Sequence, residues 1–195
     1  GGTVGFDSTV TTTNGGNIIV SNTGTLTIDG AITAAGVFDQ DASGAVSLNA
    51  GITAGSTIDI DGAATLGAAI SLNATGTTTL AAVTGASNSL DIINAAALNG
   101  AVDGVTTLTI GGLANINGTT VSSTGNQSYQ GAVILGQDTT LTGTNVTFAS
   151  TIDSQSGELN DLIVNASGET SFGGIIGNTD RISALTTDAA GRTRI

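Results

Sequence analysis

Short runs in which apolar and small residues alternate recur along the whole chain. In most of them two aliphatic side chains flank a Thr, Ser or Asp, which is the two-residue period of a strand with one buried face. The clearest runs are Leu26–Ile28, Val46–Leu48, Ile58–Ile60, Ile70–Leu72, Leu90–Ile92, Leu108–Ile110 and Val133–Leu135. No stretch has a convincing helical period. The sequence therefore predicts an all-β fold.

Many runs end in the same way, with an aliphatic residue, then Asn or Asp, then Gly or Ala. The eight instances are Ile28–Gly30, Leu48–Ala50, Ile60–Gly62, Leu72–Ala74, Ile93–Ala95, Leu98–Gly100, Ile116–Gly118 and Val164–Ala166. Asn, Asp and Gly tolerate the left-handed backbone that a sharp corner can require. We interpret these positions as corners. Stacking of the Asn side chains along an axis is the alternative role for them.

The spacing of the runs indicates coils of similar length. Their first aliphatic residues, beginning at Leu26, follow one another at intervals of 20, 12, 12, 20 and 18 residues. Short strands, corner residues and recurrence near 20 residues are typical of a β-solenoid. We therefore predict a single-stranded right-handed parallel β-helix of about ten coils over residues 1–195. At about 4.8 Å per coil the rod would be roughly 45–50 Å long.

A longer repeat is superimposed on the coils. Residues 1–50 and 143–195 align as two copies with a period near 145 residues. The matched segments are Val4–Val10 with Val146–Ile152, Ile18–Val20 with Leu162–Val164, and Asp41–Gly44 with Asp188–Gly191. No targeting segment is visible before the first copy. We expect the chain to be a window on a longer tandem array.

Composition excludes several classes of function. The chain has 30 Gly, no Cys or His, a net charge of −12, and only three basic residues, Arg181, Arg192 and Arg194. This charge makes nucleic acid and anionic membrane surfaces poor partners. Without His, Cys or Lys, the chain cannot perform Ser-His-Asp or Cys-His catalysis or form a Schiff base. We predict that it is not an enzyme, with no catalytic, cofactor-binding or metal-binding residues.

Three patterns are candidate sites. Asp39 with Asp41, and Asp59 with Asp61, offer the oxygen ligands that Ca²⁺ prefers, but solvated strand and corner carboxylates are the favoured interpretation, and no cofactor is predicted. The clusters Thr11–Thr13 and Thr77–Thr79 resemble ice-binding arrays but keep no fixed period, so exposed strand Thr is favoured. Five glycosylation-type triplets, the first at Asn73, are attributed to composition.

A resemblance to a known family enters with the second half of the chain. Three stretches carry it: Gly125–Val133, Leu141–Phe148 and Leu185–Gly191. They resemble modules of the giant filamentous-haemagglutinin-like exoproteins of Gram-negative bacteria. The resemblance covers residues 121–195, and over residues 1–120 it is only compositional. It implies a parallel β-helix stalk that is secreted by a two-partner or autotransporter route and displayed at the cell surface for adhesion or biofilm building.

Three functions follow from these observations. The leading one is a structural stalk or spacer segment of a large secreted bacterial adhesin or biofilm exoprotein, located at the cell surface, whose partners are neighbouring repeats of the same polypeptide. The second is a self-assembling extracellular filament or surface-layer subunit, in which like chains stack end to end. The third is a glycan-binding or polysaccharide-cleaving β-helix. No nucleic acid partner and no membrane insertion are expected.

Overall fold

The computed structural model describes residues 2–188 and 190–195, and Gly1 and Ala189 lie outside that description. The described residues form 28 short strands and no helix. The first sheet contains β1 (Val4–Phe6), β4 (Leu26–Ile28), β7 (Val46–Leu48), β10 (Ala64–Leu66), β13 (Val83–Thr84), β16 (Val102–Val105), β19 (Thr120–Ser123), β22 (Thr139–Gly143), β25 (Leu162–Ala166) and β27 (Leu185–Thr187).

The other two sheets take the remaining strands. The second sheet contains β2 (Val10–Thr11), β5 (Ile32–Ala34), β8 (Ile52–Ala54), β11 (Ile70–Ala74), β14 (Leu90–Ile92), β17 (Leu108–Ile110), β20 (Gln127–Tyr129), β23 (Val146–Phe148), β26 (Glu169–Phe172) and β28 (Arg192–Arg194). The third sheet contains β3 (Ile18–Val20), β6 (Phe38–Gln40), β9 (Ile58–Ile60), β12 (Thr77–Leu80), β15 (Ala95–Leu98), β18 (Ala114–Ile116), β21 (Val133–Leu135) and β24 (Ile152–Ser154).

From β1 to β23, a strand that has a following partner in its sheet pairs in parallel with the strand three places further along the chain. Because the third sheet ends at β24, β25 then pairs with β27 and β26 with β28. The chain therefore passes through the first, second and third sheets in turn and then starts the next coil, about ten times. This confirms the predicted parallel β-helix. Register partners are separated by 18 residues at the shortest, between Val46 and Ala64, and by 24 at the longest, between Val146 and Thr170.

The runs used to measure the coil length lie in three different sheets, so the distances between them are not all whole coils. Val46, Ile58 and Ile70 open strands of the first, third and second sheets, so each interval of 12 residues advances two faces rather than one whole coil, and the second interval passes into the next coil. Period-2 alternation identifies each strand but does not show which sheet the strand belongs to, because all three faces bury the same kinds of side chain.

The core is a column of side chains stacked in register from coil to coil. In the second sheet one buried row runs through five aliphatic residues and ends in three aromatic ones: Ile32, Ile52, Leu72, Ile92, Ile110, Tyr129, Phe148 and Phe172. The Tyr129 and Phe148 rings stack at 5.2 Å, and the Phe148 and Phe172 rings at 5.3 Å, with almost parallel planes. The predicted aliphatic core is confirmed for most of the rod, and this aromatic stack extends it.

Two glutamines lie inside the rod, and no pattern in the sequence predicts that they are buried. Gln40 is buried, donates to Asn22 Oδ1 at 2.8 Å and accepts from the Gly62 backbone at 2.7 Å. Gln127 is also buried, accepts from the Tyr129 hydroxyl at 2.9 Å and donates to a neighbouring carbonyl. Both amides are satisfied, as burial of a polar group requires. Gln40 thereby links its own coil to the coils before and after it, and Gln127 links its coil to the next one.

The corner prediction needs two corrections. Asn73 and Asn165 lie inside the five-residue strands β11 and β25, because those strands continue beyond the three residues of the usual run. The left-handed backbone expected at corners is also wrong. The non-glycine residues described with positive φ are Asn14, Ala86 and Ser87, and none is a predicted corner.

Glycine at these corners serves the contact between coils instead. A Cβ placed on Gly62 would lie 1.9 Å from the Gly44 carbonyl oxygen, and one on Gly118 would lie 2.2 Å from the Gly100 carbonyl oxygen. No side chain fits where two coils approach this closely. The corner glycines are therefore required by the approach of adjacent coils and not by backbone conformation.

Corner amides stack in pairs along the axis. Asn49 donates to Asp29 Oδ1 at 2.6 Å, Asn117 to Asn99 Oδ1 at 2.8 Å, and Asn145 to Asn126 Oδ1 at 2.9 Å. The stacking alternative is thus realised, but the pairs do not extend into ladders. Gly67 follows the first pair and Gly136 the second in the next coil, where a side chain would meet the Asn49 or Asn117 amide.

The two matched copies of the longer repeat fall on different faces of the rod. Val4–Phe6 is in the first sheet and Val146–Phe148 is in the second, while Ile18–Val20 is in the third and Leu162–Val164 is in the first. Each second-copy segment is displaced by one sheet in the same direction. The matched segment Asp188–Gly191 includes Ala189, which is outside the described residues. The tandem repeat stays a prediction.

Asp substitutions in β17 test the inward positions. Leu108 is 1% exposed and Ile110 is 0% exposed, whereas Thr109 between them points outward. We expect Leu108→Asp or Ile110→Asp to lower the free energy of unfolding by several kcal/mol, on the order expected for an unpaired buried charge. Thr109→Asp should cost at most about 1 kcal/mol, because Asp91 is its register neighbour. Chemical denaturation that leaves all three variants alike would contradict the assignment.

Gly62→Ala tests the close approach of coils. The added methyl would overlap the Gly44 carbonyl oxygen, so we expect a loss of about 1–3 kcal/mol in the free energy of unfolding. The matched control is Gly2→Ala, because a Cβ at Gly2 meets no atom within 4 Å. Urea denaturation of both variants measures the difference, and equal stability would show that the corners are not constrained by coil contact.

Candidate functional site

The four aspartates considered as calcium ligands lie together on the third face. Asp39 and Asp59 are register neighbours on β6 and β9, and Asp41 and Asp61 follow these two strands at the next corner. Burial raises the pKa of Asp59, and the charges of Asp61 and Asp39 raise it further. The pKa of Asp39 is raised in the same way, mainly by burial and also by the charges of Asp41 and Asp61. The arrangement is therefore one of mutual repulsion.

Within the described part of the chain, none of these four carboxylates forms an ion pair. Asp59 Oδ1 is buried and accepts no hydrogen bond. Among residues 2–188 and 190–195, no three acidic, His or Cys side chains are placed to hold a metal ion. Repulsion between the neighbouring Asp39 and Asp59 carboxylates therefore opposes folding at neutral pH.

The threonine clusters do not form the flat exposed array that ice-binding solenoids use. Thr78 is buried in β12, and the Thr12 hydroxyl donates to the Gly16 carbonyl at 2.6 Å. Two rows of hydroxyl side chains do exist, each over a few coils only, and Thr11 is the one cluster residue that belongs to either row. One in the first sheet consists of Thr27, Ser47, Thr65 and Thr84, and one in the second sheet of Thr11, Thr33 and Thr53. Because the coils differ in length, the residues of each row do not recur at a constant spacing in the sequence, and neither row can be recognised there.

A polar groove crosses the third sheet near its last strand, and we call it the third-sheet groove. Its floor is the outward row Asn115, Ile134 and Asp153, which are register neighbours on β18, β21 and β24. Asn117, Gln155 and Asp180 are among the residues at its sides, and its volume is about 410 Å³. No pattern in the sequence predicts this groove.

The groove exists because the third sheet stops at β24. The segment 173–184 replaces a full further strand there. It makes a single bridge between Ile152 and Ile176, and its backbone then bonds to β24 through Gly177 N to Ile152 O at 2.7 Å and Ser154 N to Asp180 O at 3.0 Å. Asp153 Oδ1 accepts from the backbone amides of Thr179 at 2.9 Å and Asp180 at 3.4 Å. The Asp153 carboxylate thus positions one wall of the groove.

One edge of the groove contains a gap in the corner amides. Asn117 is stacked on Asn99 through its Nδ2, and the next coil has Gly136 at this corner. A Cβ on Gly136 would lie 2.2 Å from Asn117 Oδ1 and 3.4 Å from Gln155 Oε1. Two amide oxygens therefore approach the same small space. Neither accepts a hydrogen bond from any described residue.

The three basic residues lie outside the groove. Arg192 pairs with Glu169 on the second sheet, and its guanidinium lowers the pKa of that carboxyl. Arg181 and Arg194 are exposed and are not part of the groove lining. The groove therefore presents carboxylate and amide oxygens with no positive side chain among the residues that line it.

Comparison of the chain with protein-family models, curated proteins and solved structures found no match to any of them. The described part of the chain contains no apolar helix of the length needed to cross a membrane. The architecture itself, a β-solenoid built from repeated coils, is what relates the chain to the β-helix repeat proteins.

Asp59→Asn tests the repulsion on the third face. Because burial and like charges raise the pKa of Asp59, the folded state binds its proton more tightly than the unfolded state does. Stability is therefore favoured below the ordinary pKa and falls as pH rises from that value through the raised one. We expect the variant to be more stable at pH 7 by about 0.5–1 kcal/mol, with the gain absent near pH 3.

The matched control is Asp91→Asn, which removes an outward strand carboxylate whose register neighbours are Ser71 and Thr109. It should change stability less at pH 7. Urea denaturation at the two pH values measures both variants. A larger stabilisation from Asp91→Asn, or a gain from Asp59→Asn that persists at pH 3, would contradict the interpretation.

Proposed function

We propose that the chain is a non-catalytic stalk or spacer segment of a large secreted bacterial surface protein, an adhesin or biofilm exoprotein of the filamentous-haemagglutinin-like type. The observation that carries the proposal is the continuity of the solenoid. The first and second sheets each run through ten strands, and the buried column continues through them. A rod of this kind holds the domains attached to its two ends at a fixed distance from each other.

The mechanics of stacking support a spacer role. A single coil cannot fold alone, because ordering roughly 20 residues costs on the order of 30 kcal/mol, more than the burial of its few aliphatic side chains returns. Coils gain stability from their neighbours, so the array behaves as one body. Side chains such as Ile60 and Leu66 are 0% exposed because coils cover them on both sides.

The surface of the rod fits an extracellular environment. Its outward positions are mostly Thr, Ser, Asn and Asp, and the net charge is −12. The absence of Cys removes thiols that would oxidise on export through the periplasm. The resemblance of Gly125–Val133 and Leu141–Phe148 to exoprotein modules supplies the expected location, the bacterial cell surface.

A coil duplication tests the spacer role. Residues 46–82 comprise two complete coils, since Val46 stacks on Ala64 and Ala64 on Val83. Duplicating this segment should lengthen the rod by about 10 Å without lowering its melting temperature, and small-angle X-ray scattering gives the maximum dimension. Inserting the same number of residues as a Gly-Ser segment is the control and should not lengthen the rod by stacking.

Analytical ultracentrifugation of the purified chain distinguishes the spacer from a filament. A monomer at all concentrations supports the spacer, and concentration-dependent polymers would favour the self-assembling subunit. In the parent bacterium, an antibody against this segment should label intact cells. Labelling that requires permeabilised cells would contradict the surface location.

A further inference from the structure

The third-sheet groove has both acceptors and donors of hydrogen bonds. Side-chain donors in its lining are Asn115, Gln155, Ser156 and Thr179. Asn117 Oδ1, Gln155 Oε1 and the Asp180 carboxylate meet no donor among the described residues, and Asp153 has one carboxylate oxygen left after bonding the 179–180 backbone. Polar groups that line a cavity are satisfied by water or by a ligand. A ligand that replaces the water must itself both donate and accept hydrogen bonds, as a hydroxyl group does.

The size of the groove suits a small molecule. Its volume of about 410 Å³ lies within the range of ligand pockets, about 300–1,000 Å³. Part of its floor is apolar, because Ile134 and Ala132 are half-buried between the polar residues. The groove therefore offers an aliphatic surface flanked by acceptors, which matches a ligand with C–H groups on one side and hydroxyl groups around its edge.

The negative charge of the groove limits the ligands that can bind there to uncharged or cationic ones. Asp153 and Asp180 make the groove negative, and the chain has no Lys or His to offset them. Carboxylated or sulfated ligands would be repelled. We propose that the third-sheet groove binds a short uncharged saccharide, whose hydroxyls donate to the Asn117 and Gln155 amide oxygens and whose C–H face lies on Ile134.

This site goes beyond the stalk function and does not depend on it. A spacer with an empty groove would still pass the coil-duplication test, and a groove that binds saccharide would still do so if the chain were a filament subunit. The two proposals can therefore fail separately. Without an aromatic platform in the lining, affinity should be in the millimolar range.

Gly136→Ala is the variant that tests the site. Its methyl group would occupy the space between Asn117 Oδ1 and Gln155 Oε1, and the Asn117 side chain can move to accommodate it. Gly67→Ala is the matched control at another corner, where the added Cβ would meet Asn49 Oδ1 at 1.8 Å in the same way. Both variants should fold with similar melting temperatures, because each displaces one corner amide.

The measurement is a two-dimensional ¹H–¹⁵N NMR titration of the whole chain with cellobiose, lactose and maltose. We expect at least one of these neutral disaccharides to shift the amide signals of residues 132–136, 153–156 and 177–180. The dissociation constant should rise at least tenfold in Gly136→Ala and stay within twofold in Gly67→Ala. The charged probe digalacturonic acid should cause no shifts at these residues.

Several results would overturn the proposal. No shifts with any neutral disaccharide, shifts spread evenly over the rod, or equal weakening in both variants would each exclude a saccharide site at Gly136. Shifts produced by ethanolammonium but by none of the disaccharides would show that the groove is a cation site instead.

Discussion

In-register stacking of each strand on the next strand of its own sheet is the interaction on which every other feature depends. It provides the backbone hydrogen bonds of all three sheets, and it places like side chains on top of one another, so that Ile28 lies on Leu48 and Leu48 on Leu66. A side chain of the wrong size therefore disturbs the packing of the coils on both sides. This explains why a chain with only five aromatic residues can still close a continuous core.

The closeness of the coils constrains the corners as strongly as the core constrains the strands. Where a corner carries Asn or Asp, its amide or carboxylate can bond to the coil below, as Asn49 does to Asp29. Where the next corner carries Gly, as at Gly67 and Gly136, the amide oxygen of the preceding coil takes the place that a Cβ would need. A corner therefore carries either a side chain that bonds to its neighbour or a Gly that leaves room for one, and Asn117, whose oxygen faces Gly136, lines the third-sheet groove.

Sequence patterns predicted the strands, the parallel solenoid and the number of coils, because alternation and corner residues are local signals. They did not predict which face a strand occupies, since Val46, Ile58 and Ile70 look alike but belong to three sheets. Buried Gln40 and Gln127 were missed because an isolated glutamine reads as exposed until its partners are known. The groove was missed as well, because it is formed by residues as distant as Asn115 and Asp180, and only the ending of the third sheet at β24 brings them together.

Tyr129 gives the molecule a spectroscopic probe at a single depth of the stack. It is the only Tyr in a chain without Trp, it is 0% exposed, and its ring lies against Phe148. Burial raises the pKa of its hydroxyl well above the ordinary value. Its emission and its ionisation in alkali therefore report on the coils around β20 alone, whereas the amide circular dichroism averages over all coils. Comparing the two signals during denaturation distinguishes fraying from one end from concerted loss of the whole rod.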